Sequence, residues 1–183
     1  MPKNTPSHEL ATISKVFETE WFWIEALTYK QDETASINKP YYRLSGQDSA
    51  VIIALTHDHK MILIRQFRRA IGSTTLEFPS GQIDLGEKPE FAIERELLEE
   101  TAYKCDSIEY IGPYRVEPCR INSMVHVFLG KNAKLNSNII KDKEIEEVLL
   151  LTENEFIQLI QSNSNIVIPA IGFYSLAKIK GLI

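Results

Sequence analysis

Glu96, Glu99 and Glu100 stand at i, i+3 and i+4 in a run of strong helix formers that begins just after Pro89, and this spacing constrains the chain more than any other feature. On a helix the three carboxylates share one face, where like charges repel by tenths of a kcal/mol even when exposed. Proline falls in the first turn, where its missing N–H removes no helical bond, so a helix is predicted over Glu87–Thr101. Phe91, Ala92, Leu98 and Ala102 are expected to line its inward stripe. Between Asp84 and Glu100 lie seven of the 25 acids and two of the 20 bases, leaving 18 of each elsewhere. All of the net charge of −5 is therefore concentrated in seventeen residues. A solvated helix face is the plain alternative. An ion that prefers hard oxygen ligands, Mg²⁺ above all with Mn²⁺ as a substitute, offsets the repulsion. Arg95 can neutralise part of the cluster and fix one carboxylate with its fork.

The rest of the chain supplies strands and two more helices. Residues 1–14 read as a loose arm, and Lys15–Tyr29 as one or two strands rich in aromatic and β-branched residues. Gln31–Lys39 reads as a polar turn. Tyr41–Leu44, Ala50–Leu55 and Met61–Gln66 read as strands, the last two joined as a hairpin through Thr56–Lys60. Leu76–Phe78 is a short extended stretch stopped by Pro79 and Gly81. Strands resume at Ile108–Tyr114, Met124–Leu129 and Ile145–Leu151, with a polar loop over Asn132–Lys143. Thr152-Glu-Asn-Glu155 fits a capping box opening a helix to about Gln161, and Pro169 starts a last helix ending near Gly181. Strands, helix, strands, helices is an α+β order. Two regions are expected: residues 1–45 as an N-terminal arm with strands, and 46–183 as the main domain.

Several function classes are disfavoured. The acidic balance argues against general nucleic-acid binding. No apolar run approaches the ~18 residues of a membrane span, and the N-terminus lacks a basic start followed by an apolar stretch. Cys105 and Cys119 make neither a disulfide framework nor a CxxC pair, so a reduced, cytoplasmic protein is the simplest expectation. His57 and His59 suit a solvated hairpin tip, and His126 suits a core or pocket position.

Gly81-Gln-Ile-Asp-Leu-Gly-Glu87-Lys-Pro-Glu-Phe-Ala-Ile-Glu-Arg95-Glu96-Leu97-Leu-Glu99-Glu100-Thr-Ala102-Tyr103 resembles the Nudix box, Gly-x5-Glu-x7-Arg-Glu-U-x-Glu-Glu-x-Gly-U, where U is a bulky apolar residue. Gly81, Glu87, Arg95, Glu96, Leu97, Glu99 and Glu100 match. Ala102 replaces the box glycine, and Tyr103 takes the last apolar place. Alanine in a left-handed helix exit costs roughly 1–2 kcal/mol, or else the turn shifts. The resemblance implies a Nudix fold, a mixed sheet sandwiched between helices. It also implies metal-dependent hydrolysis of a nucleoside diphosphate linked to another moiety. Metal ligands would be Glu96, Glu99, Glu100 and the carbonyl of Ser80.

Outside the box, Arg65-Gln-Phe-Arg68 and Leu76-Glu-Phe-Pro-Ser-Gly81 resemble the ADP-ribose pyrophosphatase branch. That likeness implies phosphate contact by Arg68, with Arg65 or Arg69 as alternates, and support of the site by Glu77. Ordinary strand-end charges are the plain alternative. Pro118, fifteen residues beyond Tyr103, is a weak marker of the same branch. In that branch N-terminal strands are exchanged between two subunits and aromatic residues stack on adenine, so a homodimer is expected with Trp21 or Trp23 at the base. Alternation along one strand would put both tryptophans on one face. The general base is expected at Glu144, with Glu146 and Glu147 as rivals; a box glutamate such as Glu99 serves in some relatives. GDP-mannose or dinucleotide hydrolysis is the competing activity, and a non-catalytic ligand-binding module the competing class.

Overall fold

The computed structural model of the chain describes residues 10–29, 40–136, 144–162 and 164–183. Residues 1–9 of the arm expected over 1–14, and the turn over Gln31–Lys39, lie outside the described residues. Two compact units form, one from the chain up to Gln47 with Arg115–Ser123, the other from Asp48–Tyr114 with Met124–Ile183.

The first unit is an antiparallel sheet of β1 (Leu10–Glu18), β2 (Trp23–Tyr29) and β3 (Tyr41–Ser45), in that order. β1 begins inside the stretch read as a loose arm, because cross-strand pairing from Leu10 to Tyr29 continues past the aromatic-rich residues. The segment 115–123 joins this unit through Leu44: its N–H donates to the Arg120 carbonyl at 2.8 Å and its carbonyl accepts from Asn122 N–H at 3.0 Å. Trp21 does not share a strand with Trp23. The Thr19 hydroxyl accepts from the N–H groups of Trp21 and Phe22 and donates to the Phe22 carbonyl, closing a turn that ends the alternation.

The second unit is built on one mixed sheet. β4 (Ser49–Thr56) runs apolar almost throughout and is buried from Ala50 onward, as expected of a strand covered on both faces. It pairs in parallel with β10 (Val125–Leu135) and antiparallel with β5 (Met61–Arg68) and β7 (Ser80–Gln82). β6 (Ser73–Glu77) and β11 (Ile145–Leu151) flank β5, while β8 (Tyr103–Lys104) and β9 (Ser107–Tyr114) pair with β10. Side chains alternate between two cores. Val51, Ile53, Leu55, Leu63, Val127 and Leu129 pack with residues of α2 (Glu153–Gln161) and α3 (Ile168–Ile179). Ala50, Ile52, Ala54, Ile62 and Phe128 pack with Ala92, Ile93 and Leu97 of α1 (Pro89–Thr101). The sheet is thus sandwiched between helices, the α+β arrangement expected. The capping box at Thr152 is present: its hydroxyl accepts from Glu155 N–H, and the Glu155 carboxylate accepts from Thr152 N–H at 2.8 Å.

Two further expectations change. β10 runs on through Asn132 to Leu135, where Leu135 pairs with Tyr103, instead of giving way to a loop at Asn132. A register shift between Gly130 and Ala133, with Asn132 left-handed at φ 54°, carries it past the polar residues. Residues 137–143 of the expected loop lie outside the described residues. The inward stripe of α1 is Ala92, Ile93, Leu97 and Thr101, with Glu100 beside them; Phe91 is 61% exposed and Leu98 half-buried.

Ala102 keeps the left-handed exit, at φ 60° and ψ 16°, with its N–H on the Leu98 carbonyl at 2.9 Å. The turn does not shift, so the strain of alanine is borne in place, at roughly 1–2 kcal/mol. Ala102→Gly relieves it but adds unfolded-state entropy worth ~0.4–1 kcal/mol. The expected net gain is up to about 1 kcal/mol, a rise in Tm of about 2–4 °C. A thermal melt showing a lower Tm would contradict the assignment of strain to this residue.

Candidate active site

The box helix is laid against the sheet so that two of its carboxylates meet β7. Glu100 is 5% exposed, and its Oε2 accepts from the Ser80 N–H at 2.9 Å. Burial pushes its carboxyl up to about 8, against the opposing pull of the Ser80 N–H, and the negative field of Glu96 adds to the rise. Glu96 is also pushed above the usual carboxylate range by burial, with Arg95 opposing. Gly81 makes this approach possible. A β-carbon built on it would fall inside the Glu96 carboxylate, so the box glycine is required by a side chain's close approach, since its φ is not positive.

Arg95 is the hub of the acids. Its Nε and Nη2 donate to the two oxygens of Glu87 at 3.2 and 3.0 Å, its Nη1 to Glu96 Oε1 at 2.6 Å and Glu99 Oε2 at 3.3 Å, and its Nη2 also to the Gln82 carbonyl at 3.1 Å. One guanidinium with five N–H donors in a rigid fork can hold several acceptors at once. Glu87 is drawn below the usual range by Arg95 and by the Asp84 N–H. The Gln82 carbonyl is a partner that no sequence pattern indicates, because backbone acceptors leave no signature.

Whether these residues suit a divalent cation can be judged from their donors. Among the described residues no three acidic, imidazole or thiol groups already converge on one point, since Arg95 draws Glu96 and Glu99 to itself. The donor chemistry fits nonetheless: hard oxygens on one helix face, with Glu100 buried and Glu96 half-buried, where like charges make a lone carboxylate costly. A cation is the partner that such a cluster lacks.

A second set of charges lies on the same side of the sheet. Arg68 donates from Nε and Nη2 to the two oxygens of Glu77, both at 2.7 Å, and Thr75 donates to Glu77 Oε1 at 2.5 Å. Burial would raise the Glu77 carboxyl, but these bonds reverse that and hold it below the usual range. Glu77 and Arg68 both lie within the field of Glu100, so this pair adjoins the box acids. Thr75 carries no signature in the sequence; its place beside Glu77 depends on the β5–β6 register.

The remaining candidates sit around the head of β11. Arg65 is bound to Glu147 at 3.0 Å, Thr74 donates to Glu146 at 3.0 Å, and Arg69 stands 3.7 Å from Glu144. Glu144 also lies within the field of Arg68. Arg65 alternates with Arg68 along β5, and its cross-strand neighbour Leu76 belongs to the core on the far face, so Arg65 is not brought to the box. Trp21 and Trp23 belong to the other unit. Trp21 is 65% exposed, whereas Trp23 is half-buried with the Lys15 ammonium 5.1 Å from its ring centre. His126 lies near Asp48 at 3.6 Å and shares a 2.9 Å hydrogen bond with the Tyr110 hydroxyl, in a half-buried position on β10.

Comparison with known proteins places these features in a family. A family model described as the NUDIX domain matches residues 46–169. The chain is 28% identical over 115 residues to a methanol dehydrogenase activator of Bacillus methanolicus and 30% identical over 116 residues to an ADP-ribose pyrophosphatase of Bacillus subtilis (strain 168). Each match takes in 62% of this chain, and they span 62% and 63% of those relatives' own lengths. An ADP-sugar pyrophosphatase of Mus musculus is 30% identical over 171 residues, 85% of this chain and 78% of that protein. A crystal structure of an ADP compounds hydrolase superposes over 100% of both chains with a TM-score of 0.81 at 18% identity, a likeness of fold.

Proposed function

The chain belongs to the NUDIX family, and on that premise we propose that it is a divalent-metal-dependent diphosphatase acting on ADP-ribose or a related nucleoside diphosphate sugar. The observation that carries the reading is the seating of the Glu96 carboxylate on the bare Cα of Gly81, beside Glu100 on the Ser80 N–H. A chain that did not use these carboxylates would gain nothing by burying them together. The retention of every box acid speaks against a non-catalytic module.

Glu96, Glu99, Glu100 and the carbonyl of Ser80 would hold Mg²⁺, or Mn²⁺ in its place. When bound, the ion neutralises the bridging diphosphate and acidifies the attacking water. Arg95 keeps the acids in fixed rotamers through its bonds to Glu87, Glu96 and Glu99. Arg68 supplies positive charge to the phosphate oxygens. Glu144, at the head of β11 beside Arg69, takes the proton of the attacking water. A new bond forms from that water's oxygen to one phosphorus, and the bridging oxygen leaves with the electron pair. The products are a nucleoside monophosphate and a sugar phosphate.

Base stacking is assigned to Trp21, whose ring is open to partners; such stacking is worth ~1–3 kcal/mol per base. The exposed Ile13, Val16 and Phe17 on β1 are assigned to a second copy of the chain, as a homodimer. The reduced cysteines suit a cytoplasmic location. The test is phosphorus NMR of ADP-ribose with the protein and Mg²⁺, beside GDP-mannose and dinucleotides. AMP and ribose 5-phosphate are expected, with turnover abolished by chelator and restored by Mg²⁺. Faster turnover of GDP-mannose would reassign the substrate, and no turnover on any of them would end the enzymatic reading. Light scattering is expected to give the mass of a dimer.

A further inference from the structure

Gln66 is 7% exposed, and among the described residues its Oε1 has no hydrogen-bond partner and is sealed from solvent. A buried acceptor left unmatched is unfavourable, and native chains hold few of them without a reason. The position of this one supplies the reason. Gln66 stands opposite Thr75 in the β5–β6 register, one pair along from Arg68 opposite Ser73 and from Ile64 opposite Glu77 on the same face. Side chains two apart on a strand point the same way, so the Gln66 amide lies alongside the Arg68–Glu77 fork and on the side of the sheet that faces the box acids. In that fork Nε and Nη2 of Arg68 are both committed to Glu77. With that edge of the guanidinium taken, a bidentate grip on a phosphate through the same Nε–Nη2 pair requires Arg68 to turn away from Glu77.

We propose that Gln66 is a positioning residue for Arg68: when the guanidinium leaves Glu77 to meet a diphosphate, the Gln66 Oε1 accepts one of its N–H groups and orients the fork. The acceptor unmatched among the described residues is matched in the occupied site. This rests on the proposed activity, because a chain that binds no diphosphate has no use for the second position. Arg68 then has two alternative partners, a carboxylate in the free protein and an amide plus phosphate in the complex. An amide suits the second role because it accepts without adding negative charge beside the phosphates.

The test is a double-mutant cycle read as binding of the non-hydrolysable α,β-methylene analogue of ADP-ribose by calorimetry, in the full-length protein with Mg²⁺. The four proteins are the wild type, Gln66→Met, Arg68→Met and the double variant. Gln66→Met is expected to weaken binding about tenfold, Arg68→Met by tenfold or more, and the double variant no more than Arg68→Met alone. Gln66→Met, which removes the unmatched acceptor at similar volume, is expected to melt no lower than wild type without ligand. Unchanged affinity in Gln66→Met overturns the inference, as does a double variant whose loss equals the product of the single losses. A Tm lower by several degrees alongside weaker binding would assign Gln66 to packing. A wild type that neither binds the analogue nor hydrolyses ADP-ribose ends the functional reading itself, and this inference with it.

Discussion

Glu100→Gln is expected to stabilise the metal-free protein while removing its activity. The carboxyl is buried against one N–H donor, and burial has moved it from an ordinary 4.5 to about 8. A group whose folded pKa lies above its unfolded value favours the native state while it keeps its proton, and that contribution is lost as pH rises through the folded value. Between pH 4.5 and about 8 the unfolded chain releases the proton that the native chain retains. Wild-type stability therefore falls across this window relative to a variant that cannot ionise. At ~1.4 kcal/mol per tenfold change in proton affinity, the difference by pH 8 is on the order of a few kcal/mol. Gln keeps an oxygen for the Ser80 N–H and carries no charge. Melting curves in chelator should show the variant and wild type together near pH 4.5, and the variant several degrees higher at pH 8. Turnover should fall at least ~100-fold, since even residues one shell outside a metal cost ~10–100-fold. A variant that melts lower at pH 8 would overturn the view that Glu100 is held ionisable at the expense of the fold.

Gly81→Ala is expected to separate fold from activity in the same way, through geometry. The added methyl occupies the space of the Glu96 carboxylate, the mobile end of a flexible side chain. That end can swing aside, and the backbone at Gly81 is compatible with any residue. Leaving the site returns Glu96 to water, which its raised pKa indicates it favours. The Tm is expected to move by no more than about 2 °C, a change within roughly 1 kcal/mol. The bond from Arg95 Nη1 to Glu96 is lost, and turnover should drop about 100-fold, toward the upper end of what displacing a metal-site group costs. Wild-type turnover in Gly81→Ala would mean that the seating of Glu96 has no functional consequence.

What the sequence disclosed and what it withheld divide along physical lines. Pro89, the helix formers after it and the glutamate spacing are local, and α1 lies where they predict it. The face it buries is not local. Phe91 and Leu98 are as apolar as Ile93 and Leu97, and the choice depends on which face brings Glu96 and Glu100 to β7. The two-residue β8 and three-residue β7 were unreadable because each exists only as a partner of β10 or β4. Alternation failed at Trp21 because one hydroxyl, that of Thr19, closed a turn inside an otherwise strand-like run. Arg68 was legible as a charge near the box. Its commitment to Glu77 required a hairpin register that the sequence left open.

The parallel pairing of β4 with β10 has a consequence for how the chain reaches this structure. Ser49 meets Val125 there, so the centre of the sheet forms only after a loop of more than seventy residues has closed. Pairings so distant in sequence are slow to form, because chain entropy is lost before the contacts compensate for it. β5, β6, β7 and α1 all lie within that loop. The hairpins and the box helix can appear early as local structure, but Ala50 and Ile52 form a shared core with Phe128 under α1 only once the loop is shut. The three glutamates already share a face in the isolated helix, but the burial of Glu96 and Glu100 against the sheet waits for this closure, so the cost of taking them out of water is deferred until the rest of the domain is there to hold them.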